Sequence, residues 1–279
     1  MPIPKRIIQT GKTQRLSLTE RCVVANIQLL NADYEYLYFD DAQVEAFVDT
    51  HFPQHRAIFD GFPVRIQKYD FFRYLAIYHL GGFYFDLDVL LARSLDDLLG
   101  LGCVFPFEEL TLHRYLWDHH KMDWEMGNYA FGARAGHPFI GAIIDNCVRA
   151  QREPEWAAAM WAAVPRPFRD NFFVLDTTGP GLVTRTLAES PTAADVHVMF
   201  PKDVREPSSW HQFGDHGVHL QAGGWRDRKG FWARRLGALW ETRTRAGVAA
   251  RSQALGPSRP IGAQGPAPAV AAQTAPSLR

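Results

Sequence analysis

Residues 65–91 read RIQKYDFFRYLAIYHLGGFYFDLDVLL, and few folds accommodate that string. Ile66, Tyr69, Arg73, Ala76, Ile77 and Leu80 recur at helical spacing. Gly81-Gly82 then supplies the residue type that ends helices, because glycine tolerates positive φ. Phe83-Tyr84-Phe85 begins a buried strand that reaches two aspartates separated by one residue. Alternate strand residues share a face, so Asp86 and Asp88 are expected to project together. Like charges held that close repel, and a divalent cation relieves the repulsion. Hard ions such as Mg²⁺ and Mn²⁺ take carboxylate oxygens and keep positions for water and phosphate. The alternative is a pair of solvated aspartates at a strand end. Their company favours the metal: Asp70 and Arg73 lie three residues apart on one helix face, as an ion pair or as a clamp for sugar hydroxyls. With Tyr84, the pattern D-x-x-R followed by G-G-x-Y-x-D-x-D is more specific than any of its parts.

The flanking chain alternates strands and helices. Ile3 to Gln9 reads as a first strand ending at Thr10-Gly11-Lys12. Leu18 to Asn31 reads as a helix with Ser17 as N-cap and Glu20 as its capping-box partner. Tyr34 to Phe39 is a second strand, closed by Asp40-Asp41, which cap a helix over Ala42 to Thr50 or touch a nucleotide. This order argues for an α/β fold with parallel pairing and right-handed crossovers. Leu95 to Leu99 reads as a short helix with Asp96-Asp97 set against its dipole, and Cys103 to Phe107 as a further strand. His137-Pro138 is expected to begin a helix through Arg149.

The chain has 279 residues, 47% hydrophobic and 22% charged, with 30 basic and 30 acidic side chains, which fits one soluble domain and gives no general affinity for nucleic acid. The three cysteines, Cys22, Cys103 and Cys147, are widely spaced and form no C-x-x-C, so neither a disulfide framework nor a zinc site is indicated. The amino-terminal segment lacks a long apolar run, and a cytoplasmic location is the expectation. Residues 1–245 are expected to form a single catalytic domain, and the Ala/Pro-rich stretch 246–279 a disordered tail.

Asp70-Phe71-Phe72-Arg73-Tyr74 followed by Gly81-Gly82-Phe83-Tyr84-Phe85-Asp86-Leu87-Asp88 resembles the core of the sugar transferases related to the yeast initiating α-1,6-mannosyltransferase. The spacing is similar to that in the catalytic domains of the large clostridial glucosylating toxins. The resemblance implies a GT-A type, Rossmann-like domain with a mainly parallel central sheet. It also implies Mn²⁺ (or Mg²⁺), a nucleotide-sugar donor, and transfer with retention of the anomeric configuration. Asp88 would ligate the metal, and Asp86 would contact the ribose and the metal shell. Asp70 and Arg73 would grip donor-sugar hydroxyls with Tyr84 packed beside them, making Asp70, Arg73 and Asp86 the catalytic set.

Further segments resemble the same family. The opening I-P-K-x-I-x-Q-T sets Thr10 on the donor side, with Ile8 and Gly11 where a histidine and a tryptophan are common. Asn128 begins the segment that ends Gly136-His137-Pro138, and is expected to bond donor-sugar hydroxyls or to serve as a turn residue. Thr178-Gly179-Pro180-Gly181 reads as a turn-to-helix junction with free N–H groups. In Phe213 to Trp225, His219 would complete the metal shell, and Gly224 and Trp225 would meet the donor phosphate. His113, His119 and His120 match no zinc spacing and, with Trp117, Met122 and Trp124, read as a variable loop on the acceptor side.

Residues 226–245 interleave arginines with Phe231, Trp232, Leu236, Leu239 and Trp240. Such a helix either lies on the anionic inner face of a membrane or packs its aromatic side on the core. The expected activity is metal-dependent transfer of a hexose from a UDP- or GDP-sugar to a glycan, lipid-linked or other hydroxyl acceptor. Two rivals stay open. One is a haloacid-dehalogenase-like phosphatase with Asp86 as nucleophile and Asp88 as general acid; the other is a non-catalytic nucleotide-sugar-binding module.

Overall fold

The computed structural model describes residues 2–191, 195–221, 231–251 and 259–260. In chain order the elements are β1 (Arg6–Thr10), α1 (Leu18–Leu30), β2 (Glu35–Phe39), α2 (Asp41–His51), α3 (Arg56–Asp60), α4 (Arg65–Leu80), β3 (Gly82–Phe85) and β4 (Val89–Leu91). They continue with β5 (Cys103–Leu110), α5 (Arg114–His120), β6 (Trp124–Met126), β7 (Ala130–Ala133), α6 (Pro138–Arg152), α7 (Pro154–Ala158), α8 (Asp170–Thr177) and α9 (Pro180–Glu189). The last are β8 (Val196–Met199), β9 (Gln212–Phe213), β10 (Gly217–His219), α10 (Phe231–Arg251) and β11 (Arg259–Pro260).

The main sheet has the order β11-β8-β5-β7-β3-β1-β2, with β6 paired to β5. β1 runs parallel to β2 and β3, and β5 runs parallel to β8. Because β7 is antiparallel to both β3 and β5, these two run the same way, so the sheet is mixed but β1, β2, β3, β5 and β8 all share one direction. Their carboxyl ends therefore lie along one edge, the edge where open α/β sheets bind ligands. β4, β9 and β10 form a separate antiparallel sheet.

The alternation of β3 divides the core between two faces. Phe83 and Phe85 pack with Ile7, Val23 and Ile27 on the α1 side. Tyr84 packs with Phe72, Leu75 and Ala76 of α4, and with Phe131 and Phe139, on the other. The glycine stop holds: Gly81 and Gly82 have φ of 65° and 111°. A Cβ at Gly82 would stand 2.6 Å from the Arg6 carbonyl oxygen, so β1 and β3 pair there only because the side chain is missing.

Several boundaries differ from expectation for local reasons. Asp40 is the N-cap as expected, accepting from the Gln43 amide at 3.0 Å, but Asp41 is already the first residue of the helix. The expected helix at Leu95 shrinks to one 3₁₀ turn over Asp96–Leu98, too short to make a dipole. Its acids have partners instead: Asp96 accepts from Tyr34 Oη at 3.1 Å, and Asp97 from His216 Nε2 at 2.8 Å. The presumed loop around His113 contains α5. Structure also continues past the expected boundary at 245, since α10 runs to Arg251 and Val248 is buried; residues 252–258 and 261–279 of the expected tail lie outside the described residues.

Candidate active site

Asp86 and Asp88 do not belong to β3. They sit in the tight connection from β3 to β4, where the Val89 amide donates to the Asp86 carbonyl at 3.1 Å. Strand alternation is therefore not what brings the carboxylates together. The turn does so, and β10 completes the arrangement. β10 pairs antiparallel with β4, setting His219 opposite Val89, and the Leu220 amide donates to the Asp88 carbonyl at 2.8 Å. His219 Nε2 then lies 3.2 Å from Asp88 Oδ1. One ligand atom each from Asp86, Asp88 and His219 falls within 4.8 Å of the others, the one such group found among the described residues.

The electrostatics of this cluster suit a cation. Burial raises the pKa of Asp86, and Asp88 adds to the rise, against the opposing pull of Arg73 and His219. Burial alone would lower the pKa of His219, but its hydrogen bond to Asp88 and the nearby charges of Asp88 and Asp86 more than offset this and raise it. The imidazole stacks on Tyr129 with centroids 4.4 Å apart, and its buried Nδ1 has no hydrogen-bond partner among the described residues. Two carboxylates and an imidazole converging from a turn and a neighbouring strand fit a Mn²⁺ or Mg²⁺ site, with positions left for phosphate oxygens.

Behind the turn lies a buried polar network built on α4. Asp70 and Arg73 are 4% and 3% exposed, and Arg73 Nη2 is 3.0 Å from Asp70 Oδ1 and 3.3 Å from Asp86 Oδ1. Arg73 Nη1 donates to the Asn128 carbonyl at 2.7 Å, and the guanidinium lies 4.6 Å from the centroid of the Tyr84 ring. Tyr84 donates from its hydroxyl to Asp86 Oδ1 at 2.8 Å and lies 3.0 Å from Thr10 Oγ1. Asp70 is held from two further elements: Asn128 Nδ2 donates to Oδ1 at 3.2 Å and Thr178 Oγ1 to Oδ2 at 2.9 Å. Burial pushes the Asp70 carboxyl up to about 6 despite the adjacent Arg73 charge.

Thr10, Asp70, Arg73, Tyr84, Asp86, Asp88, Asn128 and His219 are thus drawn into one connected site, while Gly224 and Trp225 lie outside the described residues. Asn128 differs from expectation in that its amide nitrogen is committed inward, to Asp70 and, at 2.8 Å, to Tyr74 Oη. Tyr74, whose hydroxyl donates to the Thr178 carbonyl at 2.7 Å, was not anticipated. Its position four residues after Asp70 on one helix face was the available signal. Gln9 was also missed; fully buried, it donates through Nε2 to the Asp86 carbonyl at 3.3 Å. The three histidines of 113–120 diverge: His113 meets Asp176 at 2.9 Å, His120 meets Glu189 at 3.5 Å, and His119 packs on Tyr115.

A mixed α/β sheet with an acidic turn at its carboxyl edge, closed by a histidine from a small antiparallel sheet, defines the GT-A type of glycosyltransferase fold. Residues 17–104 match the family described as glycosyltransferase sugar-binding region containing DXD motif. Over 232 residues the chain is 33% identical to inositol phosphoceramide mannosyltransferase 3 of Schizosaccharomyces pombe, covering 75% of this chain and 56% of that protein. Over 238 residues it is 27% identical to inositol phosphoceramide mannosyltransferase 2 of the same yeast, covering 79% and 61%. The chain therefore spans little more than half the length of these relatives. Among solved structures, the PaToxG glycosyltransferase superposes with a TM-score of 0.50 at 17% identity, covering 70% of this chain and 72% of that one, which bears on the fold alone.

Proposed function

We propose that the chain is a metal-dependent, retaining glycosyltransferase that moves a hexose from a UDP- or GDP-sugar to a hydroxyl of a glycan or lipid-linked acceptor. The observation that carries this reading is the convergence of Asp86, Asp88 and His219 within 4.8 Å, backed by the buried Asp70–Arg73 pair. Asp86, Asp88 and His219 would hold Mn²⁺ or Mg²⁺, and the bound ion would neutralise charge on the donor diphosphate. Arg73, fixed by Asp70, Asp86 and the Asn128 carbonyl, orients donor hydroxyls with Asp70 for attack. With no side chain nominated as base, the acceptor proton passes to a phosphate oxygen of the leaving nucleotide.

The names of the two fission yeast relatives support mannose as the sugar and an inositol-phosphate headgroup on a lipid as the acceptor. Peripheral contact with an anionic membrane fits that acceptor. α10 packs Trp240 on Phe168 and ties Arg245 Nη2 to Glu109 at 2.6 Å, while Leu236 and Leu239 stay 59% and 48% exposed beside Arg243. No helix among the described residues is long and apolar enough to cross a membrane. The phosphatase reading expects a lysine beside the first aspartate, whereas Asp86 meets Arg73 and Tyr84.

The deciding experiment is release of nucleotide from a panel of UDP- and GDP-sugars with Mn²⁺, repeated with EDTA and with Asp88→Ala. Release from one donor that disappears in both controls is expected. Release that persists in EDTA and in Asp88→Ala would overturn the metal-dependent reading, and silence with every donor would overturn the transferase.

A further inference from the structure

β5 and β6 lose register close to the metal cluster. Phe107 stands opposite Met126, but Glu109 already stands opposite Glu125, so two steps along β5 match one along β6 and Glu108 is the extra residue of a β-bulge. In an unbroken strand Glu108 and Glu109 would point to opposite faces. Here both reach one imidazole: His211 Nδ1 lies 3.1 Å from Glu108 Oε1, and its Nε2 lies 4.0 Å from Glu109 Oε2. Glu109 Oε1 is held in turn by Arg245 of α10 at 2.6 Å. Gly127 makes room for the bulged side chain, since a Cβ there would run into Glu108 Oε2 and the Tyr129 ring.

The backbone carries this hold to the metal site. The His211 amide donates to the Glu108 carbonyl at 3.2 Å, so the main chain and the side chain of one residue grip His211 together. His211 has a φ of 58°, a left-handed conformation uncommon for a residue with a Cβ, and it immediately precedes β9. One register step beyond the Gln212–Val218 pair of β9 and β10, His211 stands opposite His219, and its carbonyl accepts from the His219 amide at 2.9 Å. The two rings meet edge to face with centroids 6.5 Å apart. The Tyr129 ring that stacks on His219 belongs to a residue whose carbonyl accepts from the Asp86 amide at 2.8 Å. The β4–β10 ladder thus fixes His219 from the side of the aspartates, and Glu108 with His211 fixes it from the side of β5.

We infer that Glu108 and His211 are positioning residues for the metal. The bulge aims Glu108 at His211, the pair holds the left-handed backbone at His211, and that backbone sets where the His219 imidazole stands relative to Asp86 and Asp88. The inference rests on the metal-dependent reading of the site and needs neither donor nor acceptor to be tested. Partners outside the ligand set that orient a metal-binding histidine change metal affinity by about 10- to 100-fold.

The test is titration calorimetry with Mn²⁺ on the full chain, paired with hydrogen exchange at the His219 amide followed by NMR without metal. Wild type, Glu108→Ala, Glu108→Gln, His211→Ala and the double alanine variant are compared, each first checked for an unchanged thermal transition; should Glu108→Ala fail to fold, His211→Ala carries the comparison. Glu108→Gln keeps an oxygen that accepts from Nδ1. Both single alanine variants should weaken Mn²⁺ by about 10- to 100-fold and speed exchange at His219, the double variant should lose no more than either, and Glu108→Gln should stay close to wild type. Unchanged affinity in the alanine variants, losses that multiply in the double variant, or a loss in Glu108→Gln as large as in Glu108→Ala would overturn the inference. Exchange that quickens equally at the β1 amides would overturn it too, as a general loosening. The two readings separate in wild type: no Mn²⁺ binding there removes the metal and the role of the pair with it, whereas binding that the variants leave untouched removes the pair alone.

Discussion

Thr178 and Asp70, separated by 108 positions in the chain, meet through a 2.9 Å hydrogen bond in which the threonine hydroxyl donates to Oδ2. The bond fastens the C-cap of α8 to the face of α4 that carries Arg73. A hydrogen bond to a buried carboxylate contributes about 1.5–3 kcal/mol, and removing the donor leaves the oxygen short of a partner. Thr178→Val should lower donor turnover by roughly 10- to 100-fold, while Thr178→Ser, which keeps the hydroxyl, should stay near wild type. Nucleotide-release kinetics on both variants check this; equal losses would assign the effect to packing.

Arg73 answers to two carboxylates, a carbonyl and an aromatic ring at once. Its removal strands Asp70 and Asp86, and breaking a buried pair by deleting one partner costs about 3–5 kcal/mol. Arg73→Lys restores the charge but not the fork or the stacking surface over Tyr84. Urea denaturation should therefore show Arg73→Ala strongly destabilised and Arg73→Lys recovering only part of the loss. Full recovery by lysine would mean that charge alone matters there.

Metal affinity offers a check that needs no substrate. Asp88→Ala removes a carboxylate and the partner of His219 together, so titration calorimetry with Mn²⁺ should show no binding. His219→Ala should leave the two carboxylates and weaken Mn²⁺ by at least about tenfold. Unaltered affinity in His219→Ala would place the imidazole outside the metal shell.

Much of this site was legible because the D-x-x-R and D-x-D patterns are local: the helix, the glycine stop and the aspartate turn lie within residues 65–91. What escaped was long-range. Tyr74 and Gln9 read as ordinary core and strand residues until the segment before β7 and the end of α8 bring Asn128 and Thr178 against Tyr74, and β2 and the turn bring Tyr36 and Asp86 against Gln9. The strand argument for Asp86 and Asp88 reached the right convergence through the wrong geometry, since a turn can aim neighbouring carboxylates together as readily as a pleat. The reversed strand β7 was hidden for a similar reason, as four apolar and small residues in Ala130–Ala133 carry no mark of direction.

His137 provides a test in pH. It is the N-cap of α6, fully buried, and its Nδ1 accepts from the Phe139 amide at 3.2 Å, a role open only to the neutral ring. Burial and then the charge of Arg134 lower its pKa to about 4, against Asp195, whose Oδ2 lies 3.7 Å from Nε2. In the unfolded chain the group titrates near 6.5. Between those two values the unfolded state binds the extra proton, so the contribution is complete above about pH 6.5 and declines as pH falls toward 4. The loss should reach about 1–3 kcal/mol. His137→Asn keeps a capping oxygen and does not titrate, so every other acid-sensitive group cancels when the two proteins are compared. Urea midpoints at about pH 7.5 and about pH 4.5 should therefore converge or cross in favour of the variant on acidification. A wild-type-minus-variant difference that stays flat across that interval would mean that His137 is not held neutral by its cap.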